Sequence, residues 1–514
     1  MATRLPFQIV SLIAQFVSHA EHTDDPYQRK VHPSLVPFSL VCKEWQAAFE
    51  PEIYSNLTVV SPSDSHGVIV GHEAPRARHG ILLDQLEALT TGPQQWKVSR
   101  RKALRRILYR VAVPHWLDHE SKGKDDEFTY DNRYRQENDS AFETGMRALF
   151  SFLPQWACNL RLQLSVALQA ENVYTSDQEI EPDTIIMGEE SFTPYLADLD
   201  PSCCLPQVEC ILALDFPAVA LPAGMGRENG ISNRAALVIS RSCVGSALED
   251  FHLRDRCSSA PESEPRHVAE NRQNTADCLS LMPQSVRVLR IEWADSSKIG
   301  RLPRGDDLND GESLNDADTM ANKLKVEIPS DHLSAALRNV AAQLDEIRIT
   351  GLAITPDMFR PQEFDRRWLH LKVMHLNMVP LALPNGEPLS YILSNRGRSG
   401  SQIGHTNGIW RQPYLPSCSG EISAPFSYFD AFFGAIGEAS ANMPLLESLI
   451  VSFELEHRLG ISMRDGKRVL SFGSNFGYSP CMSVLRSWKL SEEDLELQGE
   501  RLEVEYAVWP PQDK

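Results

Sequence analysis

The sequence predicts a mixed chain, α+β overall with an α/β body: three short helices at the N-terminus, then an irregular α/β solenoid carrying acidic loop insertions. Three observations lead there. Apolar residues recur at helical spacing in the first 60 positions. Beyond residue 95, helical stretches give way repeatedly to runs of period two. Between those runs lie stretches rich in Asp, Asn, Ser and Gly, with little to bury.

In chain order, Ile9, Val10, Ile13, Phe16 and Val17 mark one face of a helix over 6–18. Pro6 suits its first turn, where the missing N–H costs nothing. A polar loop at 19–34 follows. Leu35, Phe38, Leu40, Val41 and Trp45 then form a second apolar set. Ala47, Phe49, Ile53, Tyr54 and Leu57 form a third, broken by Pro51. Three helices this short build a very small core, of the kind that often needs a partner.

The body begins with Ile107, Tyr109, Val111 and Val113 alternating in "RILYRVAV", which predicts a strand. A helix through "GMRALFSF" leads to Leu160, Leu162, Leu164, Val166 and Leu168, again alternating. Val286, Val288 and the run to Trp293 make a further strand, as do Leu344, Ile347 and Ile349. Two more begin near 369 and 446. The helix-then-strand rhythm is leucine-rich-repeat-like, with neighbouring units burying each other's faces. Its period is irregular, and acidic insertions account for part of the gaps. Residues 171–200 hold nine Asp or Glu and no Lys or Arg. The resulting division is a helical domain at 1–60, a linker at 61–95 and a repeat-like body at 96–514. Flexible insertions are expected at 171–200, 255–278 and 295–322.

Composition narrows the function classes. The formal net charge is -19, from 69 acidic and 50 basic residues, so neither nucleic acid nor an anionic membrane is expected as a partner. No run of about 18 apolar residues occurs, and no transmembrane helix is expected. Gln8, Ser11 and Gln15 interrupt the apolar N-terminus, which lacks a cleavage site, so no secretory signal is expected either. The ten cysteines include the adjacent pair Cys203 and Cys204 but no CxxC. They read as reduced thiols of a cytoplasmic or nuclear protein rather than a disulfide or zinc framework.

Candidate chemistry is sparse. Gly224, Gly226 and Gly230 give GxGxxxG, not the dinucleotide fingerprint, and Pro217 and Pro222 spoil the strand that should feed it. His115 and His119 stand at i, i+4 with Asp118 between them, but no third metal ligand is in view. The carboxylates around Arg133 and Arg135 read as a solvated loop. The basic run from Lys97 to Arg110 suits a nuclear-import patch or an acid-binding face. More economically, Arg106 and Arg110 lie on the outer face of a strand and the rest on the preceding helix. No GxSxG, P-loop or Cys/His nucleophile pattern occurs. No catalytic residue, cofactor or metal site is expected.

One resemblance is specific. "LPFQIVSLIAQFV" followed by "LVPFSLVCKEWQAAFEPEIYSNL" resembles the F-box: a Leu-Pro opening, an apolar helix, a Val-Cys-Lys-x-Trp centre and a closing Pro-x-Ile-Tyr-x-x-Leu. It departs from the usual pattern at Gln8, where an acidic residue is common, and in its long loop at 18–34. The remainder is similar to the large F-box domain-containing proteins of filamentous fungi. The resemblance implies a substrate receptor of a Skp-cullin-F-box ubiquitin ligase that is not itself an enzyme. Its partners would be a Skp-type adaptor, a cullin reached through it, and a target protein held by the body. The adaptor-binding residues it implies are Leu5, Pro6, Ile9, Val10, Ile13, Leu35, Leu40, Val41, Cys42 and Trp45. Two other readings stand beside it: an F-box scaffold acting outside a ligase, and an enzyme built from the loops at 115–143.

Overall fold

The computed structural model describes residues 5–19, 35–62, 80–115, 133–156, 160–172, 196–217, 230–244, 248–255, 265–293, 330–360, 368–380, 424–453, 457–464, 467–474, 480–489, 496–498 and 501–503. The chain forms two compact units, one of residues 1–257 with 281–286, the other of 258–280 with 287–514. Each is mixed α/β around a mostly or wholly parallel sheet.

The first unit opens with three helices, α1 (Phe7–His19), α2 (Val36–Ser39) and α3 (Lys43–Ser55). Their core is small: Val10 and Ala14 of α1 meet Ala48 and Phe49 of α3. Phe38, Trp45 and Phe49 stack on one another, with ring centroids 5.2 Å to 6.2 Å apart. α3 then runs without a break into β1 (Asn56–Val60). The remaining elements are β2 (Ile81–Leu82), α4 (Leu83–Thr90), α5 (Gln95–Ala103), β3 (Arg106–His115), α6 (Arg133–Phe152) and β4 (Leu162–Asn172). After them come β5 (Leu196–Ala197), β6 (Ile211–Asp215), β7 (Gly230–Ile231), α7 (Asn233–Arg241) and β8 (Asp250–Asp255). The main sheet runs β2-β1-β3-β4-β6-β8 with every neighbouring pair parallel.

The second unit contains α8 (Pro265–Leu279), β9 (Val288–Trp293), α9 (His332–Ala341), β10 (Glu346–Thr350) and β11 (Val373–Val379). It continues with α10 (Ala424–Ser440), β12 (Ser448–Phe453), β13 (His457–Arg464), β14 (Lys467–Ser474) and α11 (Met482–Ser487). A small antiparallel pair, β15 (Glu496–Gln498) and β16 (Arg501–Glu503), ends the described chain. Strands β9 to β12 are parallel and lie in chain order, and β13 and β14 extend the edge antiparallel.

An apolar pattern with spacing i, i+3, i+5 explains why these strands align despite uneven spacing in sequence. Val286-x-x-Leu289-x-Ile291, Leu344-x-x-Ile347-x-Ile349, Leu371-x-x-Met374-x-Leu376 and Leu446-x-x-Leu449-x-Val451 are all buried. Leu289, Ile347, Met374 and Leu449 are register partners in turn, so each strand presents the same positions to the core. Leu104, Ile107 and Tyr109, and Leu248, Phe251 and Leu253, repeat the pattern in the first unit. The backbone N–H groups of Asp345, Lys372 and Glu447 each donate to the carbonyl one strand earlier, of Arg287, Asp345 and Lys372, at 2.8 Å. Those four side chains alternate in sign, which avoids like charges side by side on neighbouring strands.

Glycines allow close approach at two helix positions, one against the sheet and one against another helix. A Cβ at Gly145 of α6 would lie 2.7 Å from Val111 Cγ1 on β3. One at Gly437 of α10 would lie 2.8 Å from the indole of Trp488, whose Nε1 donates to the Phe433 carbonyl at 2.9 Å. The second unit's core is aromatic there, with Phe429, Phe432, Phe433, Phe453 and Phe472 in edge-on contact.

Several expectations need correcting. Residues 61–95, expected as a linker, hold β2, α4 and the start of α5, and Leu83 and Leu86 of α4 are buried. The expected flexible insertion at 255–278 contains α8, anchored through buried Arg272, Thr275 and Cys278. The strand expected from Val286 and Val288 to Trp293 begins only at Val288, as β9. Val286 is buried, while Val288 lies beside buried Leu289 on the opposite, half-open face. The insertion at 295–322 lies outside the described residues.

Candidate functional site

Among the described residues, the largest concentration of exposed apolar side chains lies on and between the three N-terminal helices. α1 carries apolar residues on both sides. Val10 and Ala14 face α3 and are buried, with Ile13 packed against them. Ile9, Leu12 and Phe16 follow one another at i, i+3, i+7 on the opposite side and stay exposed, Leu12 at 59% and Phe16 at 74%. Leu5 and Pro6, just before the helix, are exposed too. Val36 of α2 and Leu40 and Val41 in the turn before α3 are exposed, Leu40 at 79%. Cys42 is an exposed free thiol at the N-cap of α3.

The sequence-derived docking residues therefore divide in two. Leu5, Pro6, Ile9, Leu40, Val41 and Cys42 are exposed. Val10 belongs to the small core, and Ile13, Leu35 and Trp45 pack against it, half-buried. Leu12, Phe16 and Val36 were not singled out for docking from sequence, and they extend the exposed set. Large contiguous apolar patches are uncommon on protein surfaces, which makes this one the candidate binding surface.

This helical module is tied to the sheet beside it. Arg100 of α5 donates from Nε to Glu50 Oε1 of α3 at 2.7 Å. Its guanidinium also lies 4.9 Å from the Tyr54 ring and 4.5 Å from the Trp96 ring. Burial is the leading cause that raises the Tyr54 pKa above its ordinary value.

A polar row crosses the half-open face of the first unit's sheet. Ser165 of β4, Asp215 of β6 and His252 of β8 are successive register partners. Asp215 Oδ1 lies 3.3 Å from His252 Nδ1 and 3.3 Å from Arg254 Nε. The carboxylate stands between the serine and the imidazole. Ser165 and His252 are thus two strand spacings apart, roughly 10 Å, too far for the histidine to take the hydroxyl proton directly. The row joins the Asp215 carboxylate to an imidazole and a guanidinium; Ser165 is not a nucleophile beside its base.

His115 ends β3, whereas His119 and Asp118 lie outside the described residues, as do Gly224 and Gly226. Among the described residues no three His, Cys, Asp or Glu side chains are grouped to hold a metal ion, and no helix is long and apolar enough to cross a membrane. In the second unit, β9 to β11 turn Arg290, Arg348 and His375 in one row onto the half-open face. Glu346 lies 2.6 Å from Arg348 and 3.9 Å from Arg290.

Comparison with known proteins found no matching family model, no matching curated protein and no matching solved structure.

Proposed function

We propose that the chain is the substrate receptor of a Skp-cullin-F-box type ubiquitin ligase. In this reading α1 to α3 form an F-box that docks a Skp-type adaptor. The parallel strands form an irregular leucine-rich-repeat-like solenoid whose half-open face holds a target protein. The observation that carries the reading is the outward stripe of Ile9, Leu12 and Phe16, with Leu5, Leu40 and Val41 also exposed, on the segment that resembles an F-box. A module with so few buried residues gains stability when a partner covers that stripe. The constant strand register supports the solenoid, because stacked repeats bury a continuous core at equivalent positions.

The test is co-purification of the full chain and of a chain lacking residues 1–60 with adaptor and cullin. The full chain should retain both, and the truncated chain neither. Adaptor without cullin favours a scaffold outside a ligase, and capture of neither overturns the proposal. Cys42 supplies a local readout. Maleimide labelling there should fall when adaptor binds, while labelling of exposed Cys204 stays constant.

A further inference from the structure

Apart from Arg100, which pairs with Glu50, much of the basic run on α5 and at the start of β3 forms a surface patch that meets no carboxylate among the described residues. Trp96, Lys97, Arg101 and Lys102 lie on α5, and Arg105 and Arg106 follow where the chain enters β3. Lys102, Arg105 and Arg106 are exposed, as is Trp96 at 46%. Among the described residues none of Lys97, Arg101, Lys102, Arg105 or Arg106 meets a carboxylate. Arg101 donates to the Thr90 carbonyl, Arg105 to that of Lys102, and Lys97 lies over the Trp96 ring. Elsewhere on this acidic chain Arg147, Arg161, Arg234 and Arg272 each hold an acid.

Helix stabilisation accounts for only part of this charge. Cations in its last turn complement the helix dipole, but Lys97 stands in the first turn, where a positive charge is unfavourable. Lys97 and Arg101 are like charges at i, i+4, which repel, and Arg105 and Arg106 lie past the helix end. An acid brought by another molecule relieves this repulsion.

We propose that the α5 patch binds a short acidic segment of a partner polypeptide, with Trp96 as its apolar contact. A long polyanion suits it less. Nucleic acid carries charge well beyond the patch and meets the repulsion of a chain with net charge -19. The proposal is independent of adaptor docking, and its assay contains no adaptor.

The assay is fluorescence anisotropy of a labelled oligo-glutamate peptide with the full-length protein at low ionic strength. The peptide should bind, and its affinity should fall as salt is added. Lys97→Glu/Lys102→Glu/Arg106→Glu should weaken binding at least about tenfold. Lys97→Arg/Lys102→Arg should retain it. If charge reversal disturbs the fold, Lys102→Gln/Arg106→Gln, which alters only exposed side chains, should still weaken binding about threefold. Equal binding by wild type and variants, or no binding at all, overturns the proposal. So does tighter, patch-dependent binding of a single-stranded oligonucleotide or of phosphatidylserine vesicles, since either assigns the patch to a different partner.

Discussion

If the outer side of α1 is a docking surface, Leu12→Ser/Phe16→Ser should weaken adaptor binding about a hundredfold and leave the fold intact. Fully burying a Leu or Phe side chain is worth about 1.5–3 kcal/mol. Leu12 keeps 59% of its surface exposed and Phe16 keeps 74%, so a partner covering both has more than half of that gain still to collect. The two together then contribute about 3 kcal/mol, or roughly a hundredfold in Kd. Neither belongs to the Val10, Ala14, Ala48 and Phe49 core, so far-UV circular dichroism and the unfolding midpoint should not change. Val10→Ala is the matched contrast. It removes buried volume from that core and should cost about 2 kcal/mol of module stability without deleting an outward contact. Calorimetric titration with purified adaptor separates the cases. A Leu12→Ser/Phe16→Ser protein that stays folded and binds within threefold of wild type refutes the docking surface.

Three further perturbations probe the scaffold. Arg272 Nη2 of α8 lies 2.6 Å from Asp331 Oδ2, with both side chains buried, and also donates to the Ala353 carbonyl at 2.9 Å. Arg272→Met should cost about 3 kcal/mol in urea unfolding, because the buried Asp331 carboxyl loses its guanidinium and keeps only its Ser334 donors; a cost under about 1 kcal/mol refutes a tightly desolvated pair. Burial pushes the Cys210 thiol up to about 12 and the Cys243 thiol higher still. Because these folded pKa values are raised, their stabilising effect is complete below about pH 9 and lost as pH climbs toward 12, by about 1.4 kcal/mol per pH unit for each thiol. The urea midpoint should therefore drop between pH 9 and 10.5, less steeply in Cys210→Ala, and a flat profile contradicts the burial. Gly437→Ala should destabilise the second unit by about 1–3 kcal/mol through overlap with Trp488, read as a lower melting temperature; an unchanged melt means that the α10–α11 contact yields freely.

Sequence reading succeeded where alternation was strong and failed where polar residues hold an element. β3 and β4 were legible because Ile107, Tyr109, Leu164 and Val166 are large and strictly alternate. β8 was not, since only Phe251 and Leu253 stand among Asp250, His252 and Arg254. α8 was hidden for a related reason. Its anchor is a buried arginine whose partner lies 59 residues onward, and no local pattern announces that. α4 buries Leu83, Leu86 and the polar Thr90, too short an apolar period to separate from a linker. At the candidate site, α1 is apolar on two sides, so sequence could not say which side α3 covers. The F-box resemblance therefore points to Val10, which α3 covers, and not to Leu12, which stays exposed. Neighbouring helices decide the question, and they are tertiary information.

The junction between the helical module and the sheet bears on how such a receptor would act. α3 ends at Ser55 and β1 begins at Asn56, with no intervening residue. β1 is then held along its whole length by β3, from Asn56 opposite Arg106 to Val60 opposite Arg110. Arg105 N–H donates to the Ser55 carbonyl at 2.9 Å, and Arg100 ties α5 back to Glu50 and Tyr54 of α3. A hinge needs residues free to change φ and ψ, and here the backbone at the joint is committed to a helix on one side and a paired strand on the other. If α1 docks an adaptor, the first unit's sheet is consequently carried at a fixed offset from it. Arg100 is the side chain whose loss should loosen that offset, since it alone among the α5 cations meets α3 by both an ion pair and an aromatic face.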